Sequence, residues 1–195
     1  MHYRKYLPSL LIACVLITMV LVLWLQGRVW LCAVDSPSLF CFWSGNTWSK
    51  HNSQHIFDPY TFTHILHGIT FFWILLLIGK KLLSEKLSFA WFLFFVVFAA
   101  ASWEIVENTR YVIEVYRSNT AALEYYGDSI INSLGDVLAA VVGFLIAYRM
   151  RLLWSLLLFF IVEALLLLLI RDSLLFNVIM LIYPIEAIRT WQLGG

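Results

Sequence analysis

The sequence predicts an all-α, polytopic membrane protein, and three observations predict it. Of 195 residues, 62% are hydrophobic and only 13% charged, whereas soluble domains run at about 45–50% apolar and about 25% charged. The mean hydropathy is +0.85, and a chain this apolar has ample surface to bury, which excludes disorder. The apolar residues also fall in runs of the length a bilayer core requires, about 17–25 residues. Those runs far exceed the roughly ten-residue alternating strands of a membrane barrel, so helix is the expected spanning form. A formal net charge of +1 gives no general attraction to nucleic acid, and none is expected as a partner.

Five full transmembrane helices and a short sixth apolar segment are expected within a single integral membrane domain, 1–195. The first span, 7–25, follows Arg4 and Lys5 and exceeds the roughly 7–15-residue core of a signal peptide. Leu11-Ile12-Ala13-Cys14 resembles a lipoprotein cleavage box, but apolar sequence continues beyond it, so Cys14 reads as a buried apolar residue and the segment as an uncleaved anchor. The second span, 61–78, follows Asp58-Pro59, a helix cap with proline at the first position. The third, fourth and fifth are 88–107, 129–148 and 152–170. The sixth, 174–183, closes on Pro184 and has about ten residues, which suits a re-entrant or interfacial piece better than a crossing.

Short basic connections put Arg4, Lys5, Lys80, Lys81, Lys86, Arg149 and Arg151 on one side, which the positive-inside rule makes cytoplasmic. The long connections 26–60 and 108–128 face the other side, although Arg28, Lys50, Arg110, Arg117 and Arg171 weaken the bias. Cys32 and Cys41 share the first of these loops; spacing alone is compatible with a disulfide and with two free thiols. Trp30, Trp43, Trp48, Tyr60, Trp103, Tyr111, Tyr125, Tyr126 and Trp191 lie near segment ends, as an interfacial aromatic belt does. Arg110 and Arg117 can clamp a phosphate, but read more simply as solvated loop charges.

An ionised side chain at mid-bilayer costs about 2.5–3.5 kcal/mol on insertion scales, so intramembrane polar groups point to partners or to a function. Here they share one depth. His64 and His67 open the second span, Glu104, Glu107 and Asn108 close the third, and Asp128, Asn132 and Asp136 open the fourth. Glu163 lies in the outer half of the fifth, where a deep carboxyl calls for a partner or a proton, and Arg171 and Asp172 follow its end. Successive helices alternate in direction, so all of these come out in the same leaflet. At about 100° per residue, Asp128, Asn132, Gly135 and Asp136 share a face, as do Glu104, Glu107, Asn108 and Tyr111, and Tyr60, His64, His67 and Gly68. Gly68 and Gly135 let backbones approach. Three polar stripes are expected to face one another across a cavity open to the outer side.

Imidazoles beside several carboxylates are the ligand set of a divalent metal such as zinc, iron or manganese. The expected roles are His64, His67 and Asp128 as metal ligands, Glu104 or Glu107 as catalytic base, and Asn108, Asn132, Asp136 and Arg171 as binding or supporting groups. Two rival readings stand beside this one: a metal-free ligand or proton site, and a satisfied polar network that only orients helices.

The residues also carry a resemblance. Asn52-Ser53-Gln54-His55 with Asp58, Tyr60, Thr61, His64, His67 and Gly68 resembles the signature of an uncharacterised bacterial inner-membrane family of unknown function. The likeness continues through Trp103-Glu104-Ile105-Val106-Glu107-Asn108-Thr109, Tyr126-Gly127-Asp128-Ser129-Ile130-Ile131-Asn132-Ser133, Asp136 and Ile170-Arg171-Asp172. It covers nearly all of the chain after the first span, although Cys32 and Cys41 are spaced more loosely than the close cysteine pair usual there. A more distant likeness is to the VanZ-like membrane proteins associated with glycopeptide resistance, through Asp58, His64, Glu104, Asp128, Asn132 and Gly135; Ala139 stands where their second glycine falls. These resemblances imply a multi-pass protein of the bacterial inner membrane, and neither implies a reaction; the expected partner is membrane lipid. The expected function is a metal-dependent hydrolase or transferase acting on a lipid or lipid-linked envelope substrate, with non-enzymatic amphiphile binding or transport as the alternative.

Overall fold

The computed structural model describes residues 3–32, 41–82 and 88–194, with side chains throughout except at 3–5 and 79–82. Lys86 and the side chains of Arg4, Lys5, Lys80 and Lys81, which carry the orientation reading, lie outside the described residues. The described residues form α1 (Tyr3–Leu25), α2 (Thr61–Leu82), α3 (Phe89–Glu107), α4 (Arg110–Asn119), α5 (Ile130–Arg149), α6 (Leu152–Ile170), α7 (Leu174–Ile182) and α8 (Glu186–Gln192). Among them no strand occurs beyond a single bridge of Trp43 with Phe57. Helices α1, α2, α3, α5 and α6 are long and apolar enough to cross a membrane, and they begin and end close to the predicted spans. Ser129, counted within the fourth span, instead caps it, its hydroxyl accepting from Asn132 N.

The bundle centres on α2 and α5. A Cβ added at Gly68 would overlap the Ala140 carbonyl, and one at Gly143 the Ile65 carbonyl, so the two backbones lie directly against each other. Lipid offers no hydrophobic drive between helices, and small residues that admit such approach are what hold intramembrane pairs together. Against this pair, Met19 and Leu23 of α1 and Val97, Ala100 and Ala101 of α3 pack on Ile130, Val137 and Ala140 of α5. A second cluster joins Leu66 and Ile69 of α2 to Ala147, Phe159 of α6 and Leu174 of α7. Outward faces remain apolar: Leu168 on α6 is 80% exposed, a surface suited to hydrocarbon and not to water. Cys14 lies on such a face and is exposed, not buried as its surroundings in the sequence suggested.

Two short helices go beyond the sequence reading. The connection 108–128 contains α4, capped by Thr109, whose Oγ1 accepts from Val112 N. Its inner face, Val112, Ile113 and Tyr116, packs with Tyr125 and with Leu181 of α7, while Tyr111 is exposed. Helix α7 has nine residues, a rise of about 14 Å against a hydrocarbon core of about 30 Å. It does not cross. Helix α8 brings the chain back: Gln192 Nε2 donates to Asp172 Oδ1 (3.2 Å), Arg171 Nη1 to the Trp191 carbonyl (3.2 Å), and the Phe176 and Trp191 rings sit 5.9 Å apart. Helices α7 and α8 therefore form a hairpin that starts and finishes at the C-terminal end of α6.

Candidate functional site

The loop before α2 and the start of α5 are sewn together and set the site's upper wall. Ser129 N donates to the Ser53 carbonyl (2.9 Å) and its hydroxyl to the Gln54 carbonyl (3.0 Å). Gln54 Nε2 donates to the Gly127 carbonyl (2.7 Å), and Asn132 Nδ2 to the His55 carbonyl (2.7 Å). The Ile56 carbonyl lies where a side chain at Gly135 would stand, so only glycine lets this loop settle on α5. Asp58, buried, then accepts from the N–H of Ser53 (3.0 Å), Tyr60 (2.7 Å) and Thr61 (3.3 Å) and fixes the turn into α2, the capping role its Asp-Pro context predicted. That turn aims His64 and His67 inward.

Below this wall lies a cavity of about 50 Å³, lined by α2, α3, α4, α5 and α7. His64 stands between two carboxyls: Nδ1 is 3.4 Å from Glu104 Oε1, and Nε2 is 3.8 Å from Asp136 Oδ2. One donor atom each from His64, Glu104 and Glu107 lies within 4.8 Å of the others. Ser133 stands beside Glu104 and the Trp103 indole beside Glu107. The His67 ring is 5.2 Å from that of His64 and stacks on Phe71.

Charge and hydrogen bonding at this cavity are unbalanced in one direction. Glu107, Asp128, Asp136 and Asp172 line it against two imidazoles, with Asp58 and Glu104 buried nearby, and among the described residues no lysine or arginine lines it. Burial holds the carboxyls outside the spans above the usual range: Asp58 to about 7, Asp128 to about 6 and Asp172 to about 7. Both oxygens of Glu104, Oε2 of Glu107, Oδ1 of Asp136, Nδ1 of His67 and the Ser133 hydroxyl are buried and make no well-formed hydrogen bond within the chain. More than nine in ten buried polar groups are ordinarily paired. Chemically, acceptors gathered in this way can be completed by a cation or by protons.

The predicted site residues separate into three groups. His64, Glu104, Glu107 and Asp136 converge as expected, and His67 lines the same cavity. Asp128 also lines it, but lies outside the convergent trio and is already engaged: Oδ2 accepts from Asn108 Nδ2 (2.6 Å) and Oδ1 from Tyr125 Oη (3.1 Å). Asn108 serves Asp128, accepting from its N–H in return (2.7 Å), and Asn132 ties α5 to the loop. Arg171 is a correction. It ends α6 in a left-handed conformation (φ 54°), is exposed, and points to the Trp191 carbonyl, away from the cavity. Arg110 pairs with Glu114 (2.7 Å) and Arg117 lies over the Tyr126 ring (4.7 Å), which leaves no phosphate clamp between them.

Several lining residues escaped the sequence reading. Trp103 and Tyr125, placed only in an aromatic belt, face the cavity, joined by Tyr116 and Asn177, while Tyr60 lines it on the face it was expected to share with His64 and His67. Tyr60 Oη donates to Asp172 Oδ2 (2.9 Å), and burial beside that carboxylate pushes the phenol well above its ordinary range. Glu163 has the partner its depth demanded: Oε1 accepts from Leu174 N (3.0 Å) and Oε2 from Leu175 N (3.2 Å). Cys32 and Cys41 form a disulfide, with Cα atoms 5.6 Å apart.

A family profile described as "Protein of unknown function (DUF2585)" matches residues 23–194. A protein of Brucella anthropi named only as a UPF0314 protein is 41% identical over 194 residues, covering 98% of this chain and 93% of its own. Its namesake in Paracoccus denitrificans is 43% identical over 179 residues, with 91% and 89% covered. That of Sphingopyxis alaskensis is 40% identical over 171 residues, with 87% and 86% covered. No solved structure matches.

Proposed function

This chain belongs to the DUF2585 family, and from that premise we propose that it binds a divalent cation at His64, Glu104 and Glu107 and uses it for hydrolysis or group transfer on a lipid or lipid-linked substrate in the bacterial inner membrane. One observation carries the reading: three ligand atoms from two adjacent helices converge beside buried carboxylate oxygens that the chain itself leaves unpaired. Three protein ligands with room beside them is the pattern of a catalytic rather than a structural metal site. An ion there supplies Lewis acidity to a phosphoryl or carbonyl oxygen. Asp136, on the far side of the His64 ring, orients the imidazole, as carboxylates behind ligating histidines do. Asp128, held by Asn108 and Tyr125, supports the wall and is not a ligand in this reading.

The rival of a satisfied structural network is disfavoured by the unpaired atoms, which such a network would pair. Non-enzymatic binding or transport of an amphiphile uses the same cavity and differs by the absence of turnover. Metal analysis and calorimetric titration of the purified protein, stripped and reloaded with zinc or manganese, test the cation. Bound metal in the wild type, lost on His64→Ala and on Glu104→Gln, is expected. A wild type that neither retains metal nor takes it up refutes the reading. Bound metal with every radiolabelled membrane lipid recovered unchanged selects the non-enzymatic form.

A further inference from the structure

The cavity is too small for the work proposed. About 50 Å³ accommodates an ion and a few waters, not a lipid headgroup, so a wall must move to admit substrate. The walls differ in how they are held. Helices α2 and α5 meet backbone to backbone at Gly68 and Gly143, and the loop before α2 meets α5 the same way at Gly135. Leu174, Asn177 and Val178 of α7 form another wall, and α7 belongs to a hairpin that never crosses.

Its polar ties gather at one corner, residues 172–175. Glu163, a buried carboxylate deep in an otherwise apolar helix, takes both N–H groups at the start of α7. Asp172 is gripped by Tyr60, just before α2, and by Gln192 from α8. The rest of α7 is held by apolar contact, Leu181 against the inner face of α4. Its other side exposes Leu175, Ile179 and Ile182, a surface that belongs in hydrocarbon. An opening made by lifting α7 therefore faces lipid.

We infer that the α7–α8 hairpin is a lateral gate latched by Glu163 and Asp172, and that the substrate is a membrane-borne amphiphile whose headgroup enters from the bilayer. The inference rests on the cavity being the substrate site. Entry from the bilayer gives Glu163 a role although its own side chain does not line the cavity: its bonds to Leu174 N and Leu175 N position the gate. Loss of the latch leaves the cation ligands in place, so gate and cation site are separable.

Thr63, buried and lining the cavity from α2, gives a reporter. Thr63→Cys is placed in a Cys14→Ser background, with the Cys32–Cys41 disulfide intact, in phosphatidylcholine nanodiscs containing EDTA. Labelling is followed with a maleimide carried on a phospholipid headgroup and with a sulfonated, water-soluble maleimide. The lipid-borne reagent is expected to react and the sulfonated one to be excluded. Glu163→Gln should speed the lipid-borne reaction about five- to tenfold, the worth of one hydrogen bond, and Gln192→Ala should speed it in the same direction if the first variant fails to fold. Rates unchanged in both variants, or a sulfonated reagent that reacts as fast as the lipid-borne one, overturn the gate. Because labelling is read without metal, an absent cation refutes the proposed function and leaves this result standing, and the reverse holds equally.

Discussion

Gly68→Ala adds a single methyl group at the point where α2 and α5 touch. The new carbon would stand 2.7 Å from the Ala140 carbonyl carbon and 2.8 Å from Phe144 N, and closer still to the Ala140 oxygen. Ordinary contact begins near 3.4 Å, so the carbonyl carbon alone requires a parting of about 0.7 Å and the oxygen requires more, and the obstacle is backbone, which has no alternative rotamer. Overpacking of this kind costs about 1–3 kcal/mol, and the better helix propensity of alanine returns up to about 1 kcal/mol. At the upper end of that range, which a clash with backbone implies, the net loss is about 2 kcal/mol, or a fall in Tm of about 4–8 °C for a chain of this size. His64 lies one turn from Gly68 and Asp136 one turn from Ala140, so parting the helices also widens the 3.8 Å approach of His64 Nε2 to Asp136 and weakens cation binding. Thermal unfolding in detergent measures the first effect and calorimetric titration the second. Gly45→Ala is the control, since its added carbon would meet only Trp43 Nε1 at 3.5 Å. A Gly68→Ala protein as stable as the wild type, or no more affected than Gly45→Ala, refutes the backbone contact and the packing argument built on it.

Three further outcomes are expected. Asp58, Asp128 and Asp172 hold protons in the folded state up to about pH 7, 6 and 7 but lose them near pH 4 when unfolded. Between those values the native state binds more protons, so without metal Tm should fall as pH rises from 5 to 8; a Tm that climbs over that range contradicts the burial argument. Asp136→Asn should weaken cation affinity about 10–100-fold while leaving the three ligands in place, the usual effect of a lost carboxylate behind a ligating histidine; unchanged affinity removes Asp136 from the site. Arg171→Ala, which deletes only an exposed hydrogen bond to the Trp191 carbonyl, should leave that affinity as it is, and a large loss would return Arg171 to the cavity.

What the sequence revealed and what it concealed follow one physical line. Depth was legible, because helices alternate direction and apolar length fixes where each crosses; His64, Glu104, Asp128 and Asp136 do share one level. Faces were legible while a helix continued. Tyr111 was expected beside Glu104 and Glu107, but α3 ends with Asn108 as its C-cap and Thr109 starts a new helix, which turns Tyr111 outward. Arg171 failed for a related reason, since its left-handed conformation closes α6 and redirects the chain. The α7–α8 return was hidden because its ties, Tyr60 to Asp172 and Gln192 to Asp172, join residues 112 and 20 positions apart. No local pattern encodes them.

Six carboxyls lie in or near the cavity, and their hydrogen bonding divides them. Asp58 accepts from three backbone N–H groups, Asp128 from Asn108 and Tyr125, and Asp172 from Tyr60, Ser173 N and Gln192. Each of these three braces a loop or a helix start, and each stands outside the spans. Glu104, Glu107 and Asp136 project from the spans toward His64, and each retains at least one buried oxygen without a donor. A carboxylate can accept about four hydrogen bonds, so the outer three are spent on architecture and the inner three are not. The helix that supplies two of the inner groups, α3, has neither lysine nor arginine to neutralise them. Charge of that kind, buried and unpaired, is tolerated where a cation or a proton completes it. The ring of satisfied carboxyls thus holds in place a centre whose own acceptors are unmet, and under the proposed function it is this unmet demand, not the mere presence of acidic residues, that a cation would answer.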